Sequence, residues 1–529
     1  MKKVLVLMAF FGMLLVSCSD DDFVAPAGPT PPTPETFTAG SADFSNYVSV
    51  GNSLTAGYSD AALFVDGQNA SYPNMMATSF AEVGGGPFNI PLMADNLGGL
   101  TLGGQALEGF GNRLILTFAS GSPAPVAKGG AGTTEVSTIL SGSFNNMGVP
   151  GAKSFHLGAS GYGNIQALAI QAANPYYVRF ASAPDATIIG DAIAQNPSFF
   201  TLWIGNNDIL SYATSGGAGV DQEGNLDPTT YGGNDITDPM VFGSVYNGLL
   251  QGLTAGGAGG VVANLPDVTT IPYFTTVPFA PLDPTNPDFG PQIATLNENF
   301  AGLNGVFEFL GVPERSIEFS TTAASAVLIK DESLVDLSAQ ITGVLQANGV
   351  DVGTATVTGF LYGQARQANA DDLLVLPSRS VIATLNEEAF ATLQGLGLPP
   401  ANAGQLAVNG VTYPLEDRWV LTPDEQTAVQ TATAKFNATI AALAAQYDLG
   451  FVDANAFLQV IGESGIQLSD GSTVTATYGT GGGFSLDGVH PSPRGYSLLA
   501  NEFLKVIEAK YGANLPAVEP LDYTGLYID

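Results

Sequence analysis

The chain has 529 residues, 45% of them hydrophobic, and it carries 48 acidic against 15 basic residues, a net charge of −33. This composition predicts a globular protein with ample core, and the length allows more than one average domain. A surface this acidic repels nucleic acid and anionic lipid headgroups. We therefore exclude nucleic acid and other partners that need a basic patch.

The N-terminal residues have the pattern of a secretory signal. Two lysines precede an apolar run of 13 residues, Val4 to Val16, which is too short to span a bilayer. The only cysteine of the chain, Cys18, follows this run, so no internal disulfide can form. The stretch Leu15-Val16-Ser17-Cys18 resembles a bacterial lipobox, in which the cysteine is lipidated and becomes the mature N-terminus. We predict a lipoprotein signal peptide over residues 1–17 and membrane attachment through lipidated Cys18.

The segment that follows Cys18 is first acidic and then rich in proline. Ser19-Asp20-Asp21-Asp22 is a solvated start to a linker in the plain interpretation. It also resembles the export signal of Bacteroidetes lipoproteins destined for the cell surface. We predict a tether over residues 18–40 and an outer-membrane lipoprotein exposed at the cell surface, with a periplasm-facing location as the alternative.

Strand patterns that end in glycine or polar turns recur along the rest of the chain. The five predicted strands are Tyr47–Gly51, a short run from Phe144, Phe199–Ile204, Gly260–Leu265 and Gly450–Asp453. Helical patterns lie between them, and one helix begins at the cap Thr422 and runs to about Tyr447. A loop leads from the fifth strand to Ser485, and a final helix follows. Repeated strand, turn and helix predict a parallel three-layer α/β domain over residues 41–515.

Two long segments, at about 84–142 and 272–422, interrupt this alternation, and we interpret them as insertions into the domain. Their apolar runs, such as Leu114–Phe118 and Val375-Leu376, either bind an acyl chain or form the insertions' own cores. Residues 516–529 are interpreted as a C-terminal tail. The polar stretch from Asp221 to Asp238 is interpreted as a surface loop, because it lacks the glutamate that an EF-hand needs. We predict no metal site and no cofactor.

Polar residues follow the ends of the predicted strands, where open α/β sheets bind their ligands. Ser53 follows the first strand, Gly151 the second, Asn207 the third, and Asp487 and His490 come after the fifth. Acyl transfer by a serine needs a base, an acid that orients the base, and donors for the oxyanion. Ser53 taken alone is equally well explained as the N-cap of a helix.

The base is constrained because the chain has only two histidines. His490 lies three residues after Asp487 in a turn rich in glycine and proline, so the carboxylate can fold back onto the imidazole. We predict Ser53, Asp487 and His490 as the catalytic residues and interpret His156 as a structural or substrate-side residue. The side-chain amide of Asn207 and the N–H groups of Gly151 and Ser53 are predicted to form an oxyanion hole. Turn capping is the alternative role for Asn207 and Gly151.

Four segments resemble, in order, the four sequence blocks of the GDSL, or SGNH, hydrolase family: Gly51-Asn52-Ser53-Leu54, Asn146 to Ala152, Gly205-Asn206-Asn207-Asp208, and Asp487-Gly488-Val489-His490. The resemblance implies a flavodoxin-like α/β/α fold, metal-independent ester hydrolysis, Ser53 as the nucleophile, and Asp487 with His490 as its acid–base pair. It does not extend to the two insertions. One block residue departs from the pattern, because Asn52 stands where the family has aspartate.

The leading hypothesis is a membrane-anchored serine esterase or lipase that hydrolyses acyl lipids or small esters. An O-acetyl esterase acting on polysaccharide and an acyltransferase remain alternatives with the same catalytic residues. A glycan- or lipid-binding protein that has lost turnover is a further alternative, which the complete set of Ser53, Asp487 and His490 disfavours.

Overall fold

The computed structural model describes residues 36–119, 121 and 123–528. The predicted signal peptide, the predicted lipidation site Cys18 and most of the predicted tether lie outside the described residues. From Thr38 onward the chain is attached to the domain, because Thr38 and Asn514 exchange two backbone hydrogen bonds of 2.9 Å. Within the described ranges no helix is long and apolar enough to cross a membrane.

A parallel sheet of five strands forms the centre of the fold. Its strands, in chain order, are β1 Tyr47–Gly51, β2 Asn146–Gly148, β3 Phe199–Trp203, β4 Gly259–Ala263 and β5 Gly450–Val452. They lie in the order β2-β1-β3-β4-β5, and every neighbouring pair is parallel. Doubly wound sheets such as that of flavodoxin have the same order. The prediction of a three-layer α/β domain with a central parallel sheet is confirmed at this level.

Sixteen α-helices accompany the sheet within the described residues: α1 Ser53–Ala56, α2 Val65–Asn69, α3 Tyr72–Ala81, α4 Pro175–Val178, α5 Ile188–Ile193, α6 Asn207–Thr214, α7 Pro239–Thr254, α8 Pro272–Thr275, α9 Ile293–Phe309, α10 Ser338–Ala347, α11 Val352–Tyr362, α12 Glu387–Gly395, α13 Pro400–Leu406, α14 Pro423–Gln446, α15 Ala454–Glu463 and α16 Pro493–Tyr511.

Both faces of the sheet are covered, because side chains alternate between them along each strand. On one face, Val50 and Leu202 pack with the apolar stripes of α5, α7 and α14. On the other, Tyr47 and Trp203 pack with α3 and α16. The strands therefore consist almost entirely of buried residues, as expected when helices lie on both sides.

The first predicted insertion consists of short strands rather than helices. Leu114–Thr117 and Ala124–Ala127 form an antiparallel pair, and Leu100–Leu102 lies between Gln105–Ala106 and Thr134–Glu135. The C-terminal segment contacts this region, because the Leu116 N–H donates to the carbonyl of Tyr527 at 3.0 Å.

The second predicted insertion has a hydrophobic core of its own. Two antiparallel pairs support it, Leu328–Lys330 with Ala365–Gln367 and Leu373–Leu374 with Val420–Leu421. The latter pair joins two cores, since Leu374 and Val420 lie in the insertion's core whereas Leu421 lies in that of the sheet. A half-buried Arg366 pairs with the buried Asp331 and Asp372, each at 2.6 Å.

The predicted loop between Asp453 and Ser485 is wrong in its first half. Helix α15 begins directly after Asp453, whose carboxylate accepts the N–H of Ala456. A short antiparallel pair, Ile466–Gln467 with Thr473–Val474, follows the helix. Helix α15 and this strand pair therefore separate Asp487 and His490 from β5 along the chain.

Candidate active site

The turn after β1 places Ser53 at the carboxyl edge of the sheet. A Cβ on Gly51 would lie 2.2 Å from Oγ1 of Thr55 and 2.5 Å from the carbonyl of Trp203, so only glycine fits here. Asn52 is the N-cap of α1, and its Oδ1 accepts the Leu54 N–H at 3.0 Å. The capping alternative for Ser53 is thereby wrong, and its hydroxyl is left for another partner.

That partner is His490. The Nε2 atom of His490 lies 2.9 Å from Ser53 Oγ, and its Nδ1 atom lies 2.9 Å from Oδ2 of Asp487. Ser53 is 6% exposed, and the side chains of His490 and Asp487 are 13% and 11% exposed. The three residues thus form a continuous hydrogen-bonded chain that is largely shielded from water.

The carboxylate of Asp487 is held by backbone donors as well as by the imidazole. The N–H groups of Val489 and His490 both donate to its Oδ1 at 2.8 Å, and Ala61 N–H donates to its Oδ2 at 3.0 Å. Burial alone would raise the pKa of Asp487, but His490 and these donors outweigh it and lower the pKa to about 2. The carboxylate stays ionised and oriented toward His490.

A second buried carboxyl group, Asp60, supports the same loop. Asp60 is 2% exposed, and its Oδ1 accepts the Leu486 N–H at 2.9 Å while its own N–H donates to Ser485 Oγ. Burial raises the pKa of Asp60 to about 7, and the nearby Asp487 charge also raises it. Asp60 therefore fixes the residue directly before Asp487.

The segment after β2 lies beside Asn207, as expected for residues that follow the ends of parallel strands. The Nδ2 atom of Asn207 donates to the carbonyl of Ala152 at 2.9 Å. Asp208, which is fully buried, accepts from both the N–H and the hydroxyl of Ser154 at 2.8 and 2.6 Å. The first turn of α6 thus holds the Gly151 segment in place.

His156 contributes to the same segment and makes no contact with Ser53 within the described residues. Its Nδ1 accepts the Lys153 N–H at 3.0 Å, and its ring stacks on Tyr162 with 4.5 Å between ring centres. Burial, and next the charge of Lys153, lower the pKa of His156 to about 4, so the imidazole is neutral at pH 7.

One N–H group in this segment is unpaired. The N–H groups of Ala152, Lys153 and Ser154 each have an acceptor. By contrast, the N–H of Gly151 has none among residues 36–528 as far as they are described, and neither has the N–H of Ser53. Unpaired donors of this kind are what an oxyanion hole requires.

An apolar cleft opens directly beside Ser53 and His490. Its empty volume is about 730 Å³, open mouth included. The helix α15 turns Phe457, Leu458 and Ile461 toward it, and Val268, Ile271 and Phe484 complete most of the wall. Asn207 also lines the cleft, whereas Gly151 lies outside it on an exposed turn.

The inserted apolar runs are not part of this wall. Val375 is buried in the core of the sheet domain, and Ile115 is buried within the first insertion. The sequence does contain a pattern that could have identified residues lining the cleft. Phe457, Leu458 and Ile461 follow the capping residue Asp453 with the spacing of an amphipathic helix.

Comparison with protein families, with curated proteins and with solved structures gave no match.

In the part of the chain that is described, no cluster of three or more His, Cys, Asp or Glu is arranged to hold a metal ion. The aspartates in the loop from Asp221 to Asp238 accept backbone N–H groups, as Asp227 does from Thr229 and Asp238 from Gly224.

Proposed function

We propose that this protein is a serine-dependent carboxylic ester hydrolase of the GDSL/SGNH type. The observation that carries the proposal is the chain Ser53–His490–Asp487, with two contacts of 2.9 Å, at the mouth of an apolar cleft. The four sequence blocks and the strand order of the sheet support it. A binding protein would have no need for a serine hydroxyl aligned on a histidine and a buried carboxylate.

The proposed reaction begins with attack of Ser53 Oγ on the ester carbonyl carbon, while its proton passes to Nε2 of His490. The ionised Asp487 holds the Nδ1–H of His490 and stabilises the imidazolium that forms. The tetrahedral intermediate collapses, and the alcohol leaves with the proton from Nε2. Water, deprotonated in turn by His490, then attacks the acyl carbon. The bond from this carbon to Ser53 Oγ breaks, His490 returns the proton to Oγ, and the carboxylic acid is released.

The developing oxyanion is proposed to bind the N–H groups of Ser53 and Gly151 and the second Nδ2 hydrogen of Asn207. The first Nδ2 hydrogen already donates to the Ala152 carbonyl, which keeps the amide in a fixed orientation. Donors that are fixed before the reaction stabilise the transition state without reorganisation.

The cleft favours an ester with an apolar acyl chain over an acetyl ester. An acetyl group would leave the apolar wall formed by Leu458, Ile461 and Phe484 in contact with water. Each methylene group buried in such a site contributes about 0.8 kcal/mol. We therefore propose a substrate with an acyl chain of several carbons that lies against α15.

Hydrolysis of p-nitrophenyl esters with acyl chains from acetyl to dodecanoyl tests this function. Wild type is expected to hydrolyse them with kcat/KM rising with chain length, and Ser53→Ala to be inactive. Ser160→Ala, at an exposed surface hydroxyl, is the matched control and should behave as wild type. Equal rates in wild type and Ser53→Ala would refute the proposal, and a sharp preference for acetyl would refute the substrate class.

We also propose that the enzyme is held to the membrane by lipidated Cys18, as the sequence pattern around it predicts. The chain has an acidic surface, so attraction to anionic lipid cannot replace the anchor. Cys18→Ala is expected to move the protein from the membrane fraction to the soluble fraction. Retention of this variant in the membrane fraction would refute the anchor.

A further inference from the structure

The turn that carries Gly151 has a defined geometry. Val149-Pro150-Gly151-Ala152 is closed by a hydrogen bond of 3.1 Å from the Ala152 N–H to the Val149 carbonyl. Proline in the second position and glycine with φ of 79° in the third are the marks of a type II turn. Types I and II differ by a rotation of the central peptide, here the one between Pro150 and Gly151.

The orientation of this central peptide decides where the Gly151 N–H points. The peptide is trans, so its C=O and N–H point in opposite directions. In a type I turn the same N–H would point to the opposite side. Glycine in the third position tolerates both the type I and the type II turn. Contacts outside the turn must therefore determine which of the two forms.

Asn174 makes the contact that selects one form. Asn174 is 8% exposed, and its Nδ2 donates to the Pro150 carbonyl at 2.8 Å and to the Tyr162 hydroxyl at 3.3 Å. Its Oδ1 accepts from the N–H groups of Tyr176 and Tyr177, which makes Asn174 the N-cap of α4. The helix fixes the asparagine, and the asparagine holds the carbonyl.

We propose that Asn174 is a positioning residue that orients the Gly151 N–H toward the oxyanion by holding the Pro150 carbonyl. The inference rests on the proposed function, since it concerns the oxyanion of that reaction. It adds a residue that lies outside all four sequence blocks and does not touch the substrate.

The two roles of Asn174 use different atoms, and this makes them separable. Aspartate and serine both supply an oxygen acceptor to an N-cap, but neither an ionised aspartate nor the shorter serine can donate to Pro150. Asn174→Asp and Asn174→Ser should therefore keep the α4 cap and release the central peptide. We expect kcat for p-nitrophenyl octanoate to fall by about tenfold or more, with KM close to that of wild type.

The matched control is Asn164→Ser. Asn164 also caps a short helix through Oδ1, which accepts the Gln166 N–H at 3.0 Å. Among the described residues its side chain makes no hydrogen bond to Pro150, whose carbonyl accepts from Asn174. This variant should keep wild-type kcat. Wild-type kcat in folded Asn174→Ser or Asn174→Asp would overturn the positioning role while leaving the esterase proposal intact, because the wild type remains active in the same assay.

A measurement on the unsubstituted protein covers the case in which both variants fail to fold. A crystal structure after reaction with diethyl p-nitrophenyl phosphate should show the phosphoryl oxygen of the Ser53 adduct on the Gly151 N–H. The bond between Asn174 and Pro150 should be retained in it. A Gly151 N–H directed away from that oxygen would overturn the proposal.

Discussion

The side-chain amide of Asn52 donates a hydrogen bond to Oδ1 of Asn206 at 2.9 Å, and both side chains are buried. This bond connects the turn that carries Ser53 to the turn that precedes Asn207. Asn52 is the one block residue that departs from the GDSL pattern, and its side-chain amide supplies the donor of this bond. An aspartate in its place would need the Asn206 amide to rotate by half a turn and donate instead.

Asn52→Asp therefore should remain folded and active, because rotation of Asn206 restores the bond and the Leu54 N–H keeps its acceptor. Asn52→Leu should lose both bonds and leave Asn206 unsatisfied, at a cost of about 1–3 kcal/mol in unfolding free energy. Urea unfolding and kcat of the two variants check this. Greater damage from aspartate than from leucine would contradict the assigned bond.

Asp487→Asn should lower kcat on the order of 10³-fold, because His490 would lose the carboxylate that sets its tautomer and stabilises its charge. KM should change little, since Asp487 does not line the cleft. Steady-state kinetics on one p-nitrophenyl ester provide the measurement. Asp470→Asn, an exposed residue of the same long segment, is the control, and a similar loss there would point to general disruption.

Leu458→Trp should shift the chain-length preference, because the larger side chain occupies the cleft next to Ser53. We expect kcat/KM for dodecanoyl esters to fall and that for acetyl esters to be retained. Val460→Trp is a close control, since Val460 lies on the same helix but is 47% exposed. Equal chain-length profiles for the two variants would place the acyl chain elsewhere.

Asp60 makes the stability of the fold depend on pH with a defined sign. Its pKa is raised from 3.8 to about 7 by burial, so the folded state binds more protons than the unfolded state between these values. The contribution of Asp60 to the unfolding free energy is fully present below the pKa that Asp60 has in the unfolded state. It is lost as the pH rises through the pKa that Asp60 has in the folded state, and the loss is at most about 4 kcal/mol.

Asp60→Asn removes this dependence and still accepts the Leu486 N–H. The unfolding free energy of Asp60→Asn should therefore increase relative to that of wild type as the pH increases from about 5 to about 8. Urea unfolding at the two pH values measures the difference, and Asp66→Asn, at an exposed neighbour on the same segment, should show none. A constant difference between wild type and Asp60→Asn would contradict the raised pKa.

The features of the fold and the site that could be predicted from the sequence are those encoded locally. Val48 and Val50 before Gly51 indicate a strand, and the chain's scarcity of histidine isolates His490. Asn174 and Asp60 could not be found this way, because their partners lie at Pro150 and Leu486, which the sequence does not place beside them. Helix α15 occupies part of the predicted loop, although Asp453 and the apolar spacing behind it are visible in the sequence.

Reaction with diethyl p-nitrophenyl phosphate, which phosphorylates activated serines, tests whether Ser53 is the nucleophile. Intact-mass and peptide analysis of the wild type should show one diethylphosphoryl group, located on Ser53. His490→Gln should react far more slowly, and Ser53→Ala should not react. Absence of labelling in folded wild type, or labelling at a different serine, would contradict the assignment of Ser53 as the nucleophile.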